Sequence, residues 1–377
     1  MLSTLKKIAR TSYFIIKNGD AFHNDDNKAA AFLKKHPMPS LTSIEKEEID
    51  DYWRRFGIKF PHYKWFEMYY GVTGIHDPRF IPDMIAGHII FPYYNDRQFL
   101  IAWADKNFFE RFLPNIQFPK TLGRKYKGSF YDENWNYFSK DNLLTFSHQI
   151  MEKMEADTSF VLKITRNSAA GKGVKVHHVN TPQDILSILE SESSPNFIIQ
   201  RKIQQHPFLQ QFNKTSVNIL RIISWKHDNQ VDILSVSIRF GIEGSFTDVA
   251  YVNGEEIVNV VGVDAKGRVN NKYASLDGLS NNVSIHLKNE DIPCFNEISS
   301  MIKDAHLQLQ PFDIIGWDIT INEKCEPVCI EYNVMWPGTI LYQYANGPFA
   351  GDLTDKFLSF LEDKNNQKTY IPKPFRV

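Results

Sequence analysis

The chain has 377 residues, 42% of them hydrophobic, and a formal net charge of −1. This length predicts two or three domains or subdomains with a sizeable core, and the near-neutral charge excludes a general polyanion-binding protein. The three cysteines, Cys294, Cys325 and Cys329, fit no zinc-binding template, so we expect reduced structural thiols.

The start of the chain sets Lys6, Lys7 and Arg10 before a short apolar run at residues 13–16. The run is too short for the core of a signal peptide, and no stretch of the sequence approaches the length of a membrane span. We therefore expect a cytoplasmic protein. A helix packed on the protein body is the first interpretation of this segment, and a weak peripheral membrane contact is the alternative.

Residues 1–104 are predicted to form a mainly helical, aromatic-rich region. Ser43 is expected to cap a helix that carries Ile49, Trp53 and Phe56 at roughly helical spacing. We interpret these aromatic residues as core, and nothing in this region resembles a catalytic site.

Residues 105–203 are predicted to form a subdomain in which Asp105 caps a short helix. Residues 159–164 are expected to form a strand with Lys163 among apolar residues, and another strand begins at Val174. The loop between these strands is rich in small residues, which let backbone N–H groups approach a polyphosphate, and the lysine supplies a point charge. The alternative is an ordinary mobile hairpin turn. The loop is not a Walker A loop, because the spacing of that motif is absent.

Two arginines, Arg221 and Arg239, lie on predicted half-buried strands of the following region, residues 204–377. An unpaired guanidinium would be costly to bury there, so each arginine requires a carboxylate or a phosphate as its partner. A phosphate contact and an internal Arg–Asp bridge meet this requirement equally well.

The stretch from Asp313 to Gly338 is predicted to form two strands joined by a turn at residues 322–324. Glu331 and Asn333 are two residues apart and point to the same face of a strand, and Asp318 on the preceding strand can lie beside them. Two carboxylates and an amide carbonyl suit Mg²⁺. The alternative is a surface hairpin whose acidic residues face water.

The order of these features resembles the ATP-grasp superfamily: a lysine on a strand, a loop of small residues, a connecting strand, a sheet, then the D…E-x-N pattern on two late strands. The chain is most similar to the sugar-transfer-associated ATP-grasp proteins of polysaccharide-biosynthesis loci. The closer resemblance rests on these short matches: Phe80-Ile81-Pro82-Asp83, Ala104-Asp105-Lys106, Gln204-Gln205-His206-Pro207, Ser216-Val217-Asn218 with Arg221, Arg239 with Gly241, and Gly316-Trp317-Asp318.

The resemblance implies an α+β fold in which two subdomains clasp ATP between antiparallel sheets. Residues 105–203 would supply the phosphate loop and the hinge, and residues 204–377 the metal site. The implied cofactors are ATP and Mg²⁺, or Mn²⁺ in its place. Arg221 and Arg239 are the implied catalytic residues, which stabilise the transferring phosphoryl group. The implied nucleotide contacts are Lys106, Lys163, Ser168, Gly171, Lys172, Gly173, Gln200, Arg201 and Ile203. The implied metal ligands are Asp318, Glu331 and Asn333.

The chain departs from the family pattern at three places. Gln200 stands where many relatives have Glu, and Gly316 stands where ligases that join amino acids often have Arg. The acid that usually holds the ribose is not evident, since Pro207 occupies about its place. The candidate substitutes are Gln204, Gln205 and His206.

The first functional hypothesis is an ATP- and Mg²⁺-dependent carboxylate–amine ligase that acts through an acylphosphate in surface-polysaccharide biosynthesis. Its partners would be a small-molecule or glycan-linked carboxylate and an amine donor, with no nucleic acid. The alternatives are a phosphotransferase acting on a sugar hydroxyl and an inactive nucleotide-binding accessory protein. An amide product rather than a phosphorylated sugar separates the ligase from the phosphotransferase.

Overall fold

The computed structural model describes residues 27–166, 171–276, 278–279 and 290–377. The chain forms two compact units. Unit 1 contains Met1–Asp96, Lys272–Val283 and Gly338–Val377, and unit 2 contains Arg97–Asn271 and Ser284–Pro337. Separate helices and antiparallel strands confirm the expected α+β class. The predicted domain boundaries after residues 104 and 203 stay a prediction.

The chain is helical over residues 27–35 and then contains a series of mostly short helices. The labelled α-helices are α1 (Ser43–Arg54), α2 (Lys64–Thr73), α3 (Asp83–Ile85), α4 (Phe91–Tyr94), α5 (Leu100–Trp103), α6 (Phe109–Phe112), α7 (Leu143–Met154), α8 (Pro182–Ser191), α9 (Pro207–Gln210), α10 (Phe295–Gln308), α11 (Ile340–Asn346), α12 (Thr354–Leu358) and α13 (Lys364–Tyr370). A π-helical turn covers Ala86–Ile90, and 3₁₀ turns cover Lys106–Phe108, Lys140–Asn142, Gly351–Leu353, Ser359–Glu362 and Lys373–Phe375. No helix in the described ranges is long and apolar enough to cross a membrane.

The strands lie between Thr121 and Asn333. They are β1 (Thr121–Tyr126), β2 (Ser129–Tyr131), β3 (Tyr137–Phe138), β4 (Ser159–Ile164), β5 (Val174–His178), β6 (Phe197–Arg201), β7 (Ile219–His227), β8 (Gln230–Phe240), β9 (Val249–Val252), β10 (Glu255–Val263), β11 (Val269–Ser275), β12 (Gly278–Leu279), β13 (Ile314–Ile321) and β14 (Pro327–Asn333).

Unit 1 is helical and rich in buried aromatic side chains, among them Trp53 and Tyr69. Its α1 begins one residue earlier than predicted. The N-cap is Thr42, whose hydroxyl accepts from the backbone N–H of Glu45 at 3.2 Å, while the Glu45 carboxylate accepts from Thr42 N at 2.6 Å. The prediction of Ser43 as the cap was therefore wrong, because the reciprocal capping box requires Thr42.

The first sheet of unit 2 has the order β3-β2-β1-β6-β4-β5, with antiparallel pairing between its neighbours. One of its faces covers an apolar cluster that includes Phe146 and Ile150 of α7 and Ile185 of α8. Thr181 caps α8, with Asp184 completing the capping box. This packing fixes the strand that carries Lys163.

The second sheet holds β10, β8, β7, β13 and β14 in that order, and β9 pairs with β10. Strand β13, which lies next to the edge strand β14, is buried along its whole length and pairs with β7 on its other side. β13 and β14 form the predicted hairpin, whose turn is closed where Asn322 Oδ1 accepts from Lys324 N and Glu326 N. The hairpin prediction for residues 313–338 is confirmed.

Candidate functional site

A row of three charged side chains crosses the second sheet of unit 2. In the strand register, Arg221 on β7 stands opposite Asp318 on β13, which stands opposite Glu331 on β14. Residues directly opposite in antiparallel strands point to the same face, so the three side chains meet. Arg221 donates from Nε to Asp318 Oδ1 at 2.5 Å and from Nη2 to Asp318 Oδ2 at 3.1 Å, which is a bidentate pair.

A β-bulge lies next to this row, between β13 and β14. Asp318 pairs with Glu331, but the next pair along β13 is Ile319 with Cys329, so Ile330 is an extra residue in β14. A bulge redirects the side chains beside it and strengthens the local twist. Beyond it, Asn333 Nδ2 donates to Asp318 Oδ2 at 3.2 Å. The structure therefore brings the three predicted metal ligands together.

Two lysines approach the row from outside the second sheet. Lys106, on the 3₁₀ turn before α6, pairs with Glu331 through Nζ and Oε2 at 2.9 Å. Burial raises the pKa of Glu331, but Lys106, Lys163 and Arg221 together outweigh this effect and lower it to about 2. Burial lowers the pKa of Lys163 to about 8, and Glu331 opposes that shift. Glu331 is thus held as a carboxylate among cations.

A cavity of about 190 Å³ opens between the two sheets of unit 2. Predicted site residues that line it are Lys106, Lys163, Gly171, Lys172, Gln200, Arg201, Ile203, Asp318 and Glu331. Gly173, Arg221, Arg239 and Asn333 are not among the described residues of the lining. Ser168 lies outside the described residues. The predicted residues come from segments far apart in the sequence and converge on one cavity.

Two glycines lie at the end of the loop between β4 and β5. Gly171 and Gly173 have φ angles of +72° and +79°, a region that favours glycine over other residues. A Cβ atom at Gly171 would lie 2.8 Å from the Thr247 hydroxyl oxygen, so the loop approaches the β8–β9 connection closely. Lys172 lies over the Tyr251 ring at 5.1 Å from its centroid. Backbone and a cation thus face the cavity here.

The predicted hinge residues of β6 already make hydrogen bonds and an ion pair within the protein. Gln200 Nε2 donates to Pro119 O at 3.3 Å, and the backbone N–H of Arg201 donates to Lys120 O at 2.9 Å. The guanidinium of Arg201 pairs with Asp157 at 3.0 Å. In a contact with adenine, the carbonyl oxygen of Arg201 would therefore accept from a base N–H.

Of the three candidate substitutes for the ribose acid, two have structural roles. The buried Gln205 side chain donates to Asn218 O and Thr320 Oγ1 and accepts from Asn218 N. His206 Nδ1 accepts from Phe208 N at the start of α9. Gln204 is exposed and lines the cavity, so it is the candidate that remains for the ribose.

Both predicted catalytic arginines have carboxylate partners. Arg221 pairs with Asp318 and also donates from Nη1 to Pro337 O at 2.7 Å. Arg239 Nη2 lies 2.8 Å from Asp248 Oδ2, and Asp248 lines the cavity. The structure thus has the internal Arg–Asp bridge for both residues. A direct contact of either arginine with a phosphoryl group stays a prediction.

The unusual Gly316 has a packing explanation. A Cβ atom at this position would lie 2.9 Å from Pro337 Cβ and 3.2 Å from Pro337 Cα. Any larger side chain would displace Pro337, whose carbonyl holds Arg221. The glycine at this departure from the family pattern therefore fits the close approach of Pro337.

The residues present fit a divalent cation that also takes ligands from a nucleotide. Within the described ranges no three His, Cys, Asp or Glu side chains converge, so the donor set needs the amide of Asn333 as well as Asp318 and Glu331. Asn333 directs its nitrogen to Asp318, and Lys106 takes only Oε2 of Glu331. The amide oxygen and Oε1 remain as hard oxygen donors, and Mg²⁺ commonly completes such a set with water and phosphate oxygens.

Sequence reasoning missed several residues that line the cavity on its second-sheet side, chiefly Asp248, Lys214 and Phe246. The 213–217 loop and the β8–β9 connection are tied together, since Val217 N donates to Phe246 O and Thr215 Oγ1 donates to Ser245 O. A polar cluster at the end of a strand, Ser245 to Asp248 after β8, was the signal available in the sequence.

The profile of the family described as sugar-transfer associated ATP-grasp matches residues 89–357. Because the match covers well over half of the chain, the protein belongs to the sugar-transfer associated ATP-grasp family, and the fold is the ATP-grasp fold that the resemblance implied. No curated protein sequence matches the chain.

Solved structures resemble the chain distantly. The ATP-grasp ligase PsnB, complexed with minimal precursor, aligns with a TM-score of 0.41 and 11% identity over 71% of this chain and 63% of its own. D-alanyl-alanine synthetase A from Vibrio cholerae O1 biovar eltor aligns with a TM-score of 0.40 and 11% identity over 69% and 64%. D-alanine–D-alanine ligase from Bacillus anthracis aligns with a TM-score of 0.36 and 14% identity over 71% and 68%. This chain thus covers less than two thirds of the first two proteins' length.

Proposed function

We propose that this protein is an ATP- and Mg²⁺-dependent carboxylate–amine ligase that forms an amide through an acylphosphate. The observation that carries the proposal is the convergence of Lys106, Lys163, Asp318 and Glu331 on one cavity between the two sheets of unit 2. Cations for phosphate and carboxylates for a metal in one partly closed cavity are what phosphoryl transfer requires, because its catalysis is mostly positioning and charge stabilisation.

The charges of the cavity support a carboxylate acceptor over a hydroxyl acceptor. A hydroxyl group must lose its proton to attack phosphorus, and a positioned base usually removes it. The carboxylates among the described lining residues are Asp248, Asp318 and Glu331, and each is already paired with a cation. No histidine is among those lining residues. A substrate carboxylate is ionised already and needs no base.

The proposed reaction has two steps. An oxygen of the substrate carboxylate attacks the γ-phosphorus, and the bond from phosphorus to the β–γ bridging oxygen breaks, which releases ADP. The neutral amine nitrogen then attacks the acyl carbon, the bond from that carbon to the phosphate oxygen breaks, and the departing phosphate takes up the proton that the nitrogen loses. Lys163 and Lys106 hold the charge of the phosphate oxygens, and Arg221 holds Asp318 in position. A metal at Asp318, Glu331 and Asn333 supplies further positive charge beside those oxygens.

The substrate part of the proposal is a uronic-acid unit joined to an amino acid during surface-polysaccharide synthesis. The family description, with its association to sugar transfer, supports a sugar acid as the carboxylate. The proposal includes a cytoplasmic location, where ATP is available.

Calorimetry of Mg·ATP binding is the first test. The native protein should bind with micromolar affinity, and Asp318→Ala with Glu331→Ala should weaken binding at least about 100-fold. Glu331→Gln alone, which keeps the side-chain shape, guards against a folding defect in the double variant. Asp291→Ala with Asp304→Ala, at two exposed acids of the same unit, is the matched control. Mg²⁺ without nucleotide should bind weakly, because each carboxylate already has a cationic partner.

Product analysis is the second test. ADP release should depend on both a uronic acid and an amino acid, and mass spectrometry should find the amide. A phosphorylated sugar formed without an amine would replace the ligase with the phosphotransferase. No nucleotide binding by the folded native protein would remove both activities and leave an accessory protein.

A further inference from the structure

One buried carboxylate in unit 2 contacts two segments of the nucleotide site at once. Asp105 is only 3% exposed. Its Oδ1 accepts from the backbone N–H of Asn107 at 3.1 Å, which caps the 3₁₀ turn that carries Lys106. Its Oδ2 accepts from Nε of Arg166 at 2.6 Å, just after the end of β4. The two oxygens thus join the turn of Lys106 to the strand of Lys163.

A second contact joins the same two segments. Asn107 Nδ2 donates to Thr165 Oγ1 at 3.1 Å, and both groups are buried. The carbonyl of Asn107 accepts from Nη1 of the buried Arg124 on β1 at 2.5 Å, which anchors the turn to the first sheet. The turn is therefore fixed from both sides by hydrogen bonds that a simple surface loop would not have.

Arg166 is also held on two sides. Besides Asp105, its guanidinium lies over the Tyr126 ring at 4.9 Å from the centroid. Hydrogen bonding to Asp105 raises the pKa of Arg166, so the charge on this side is permanent. A planar, permanently charged group in a fixed position can hold a carboxylate in one orientation.

We infer that Asp105 is a positioning residue that holds Lys106 and Lys163 at one spacing for the phosphate groups of the nucleotide. A lysine is a flexible point charge, and its ordering costs side-chain entropy unless its backbone is already fixed. Asp105 fixes the turn that carries Lys106 through the N–H of Asn107, and it joins this turn to the strand of Lys163 through Arg166. This inference rests on the proposed function, because it assigns the two lysines to phosphate.

The test uses the full chain with Asp105→Asn, Arg166→Gln and the double variant. Asp105→Asn keeps an oxygen for the cap on Asn107 but removes the charge that faces Arg166. Each single variant should weaken Mg·ADP binding about tenfold, and the double variant should lose no more than one of them, because both remove one interaction. In assays of ADP release, KM for ATP should rise while kcat falls less. The matched control is Asp291→Asn, which breaks the exposed Arg268–Asp291 pair of 3.0 Å and should change neither value.

A readout without nucleotide separates this inference from the proposed function. Acetylation of Lys106 by an activated ester, followed by mass spectrometry, reports how firmly Lys106 is held against Glu331. The rate should rise several-fold in Asp105→Asn and Arg166→Gln, while Lys226, which is held by Leu309 O and Gln310 O, should react as before. If the native protein binds no nucleotide but the acetylation rate of Lys106 rises in these variants, the proposed function fails and the positioning role of Asp105 stands. Variants that only lower the unfolding temperature, with unchanged ADP affinity and Lys106 reactivity, overturn the inference.

Discussion

The two sheets of unit 2 hold the charges of the site in opposite ways. On the first sheet and its loop, Lys163 and Lys172 make no ion pair with any residue in the part of the chain that the structure describes. On the second sheet, Asp318 and Asp248 are paired with Arg221 and Arg239 of the same sheet. The first sheet therefore presents to the cavity lysines that have no ion-pair partner among the described residues, whereas the carboxylates of the second sheet are paired before any ligand arrives.

This difference indicates what each sheet needs from a ligand. Uncompensated lysines at a cavity gain free energy when an anion such as a polyphosphate arrives. Paired carboxylates gain little from a cation alone, because a metal must share them with their existing partners. We therefore expect metal and nucleotide to bind together, with the nucleotide supplying the negative charge that the site lacks.

The largest expected effect is on the second sheet. Arg221→Met removes the partner of a carboxylate that is only 5% exposed, and an unpaired buried charge of this kind costs about 3–5 kcal/mol. Chemical denaturation at neutral pH should show this loss in the free energy of unfolding. A loss below about 1 kcal/mol would mean that the pair is exposed to water in solution, and the contrast between the sheets would break down.

The double variant Arg221→Met with Asp318→Leu is the control for this prediction. Replacing both members of a buried pair by apolar residues of similar size is often neutral or stabilising. Stability should return towards the native value while Mg·ATP binding stays lost. The double variant thus separates the structural part of the pair from its part in the site.

The second prediction concerns the first sheet. Lys163→Met removes a cation whose pKa is lowered to about 8 by burial, and the apolar replacement suits the surrounding side chains. Mg·ADP affinity should fall about 30- to 100-fold, while the thermal unfolding temperature should rise or stay unchanged. Calorimetry and thermal denaturation of the same preparation measure both. A fall in both values would show that Lys163 supports the fold as well as the site.

The parts of the fold that the sequence predicted depend on local patterns. The β13–β14 hairpin followed from the two strand-like stretches on either side of the turn at residues 322–324. The capping box of α1 was present as well, since Glu45 follows Thr42 by three residues, and it decides between two adjacent residues that both cap well.

The partners of the site residues were not predictable in the same way. Lys106 and Glu331 are far apart in the sequence, and only the packing of the two sheets brings them to 2.9 Å. Gln205 shows the same limit. The sequence made Gln205 a candidate ribose contact beside Gln204, but in the fold its side chain donates to the backbone carbonyl oxygen of Asn218. Residue type indicated the kind of site, and tertiary packing decided which of these residues reach the cavity.

The third prediction concerns His306, a buried neutral side chain of α10 in unit 2. His306 of α10 is fully buried, accepts from the Ser224 hydroxyl and donates to Phe312 O, and Trp317 Nε1 donates to Ser224. Burial lowers the pKa of His306 to about 3, although the Phe312 carbonyl opposes this shift. The unfolded chain, with an ordinary histidine pKa of about 6.5, therefore binds the proton more readily than the native state does.

The contribution of His306 to the free energy of unfolding is therefore fully present above about pH 6.5, and it is lost as the pH falls towards 3. Between pH 7 and pH 5 this one group should lower the free energy of unfolding by about 2 kcal/mol. The difference in pH dependence between the native protein and His306→Gln, measured by urea denaturation, isolates this contribution. Parallel curves for the two proteins would show that His306 titrates normally in the fold.

The smallest expected effect compares two glycines of the first sheet with nearly the same backbone. Gly128 in the β1–β2 turn and Gly173 at the end of the phosphate loop have φ angles of +84° and +79°. A Cβ atom at Gly128 has nothing within 4 Å, whereas at Gly173 it would lie 2.9 Å from Ile164 Cδ1. Gly128→Ala should therefore cost about 1 kcal/mol of backbone strain, and Gly173→Ala somewhat more, since Ile164 must also move.

Ile164 follows Lys163 on β4, so Gly173→Ala should also weaken Mg·ADP binding a few-fold by calorimetry, and Gly128→Ala should not. Equal effects of the two substitutions on affinity would mean that the close approach of Gly173 to Ile164 has no specific part in nucleotide binding.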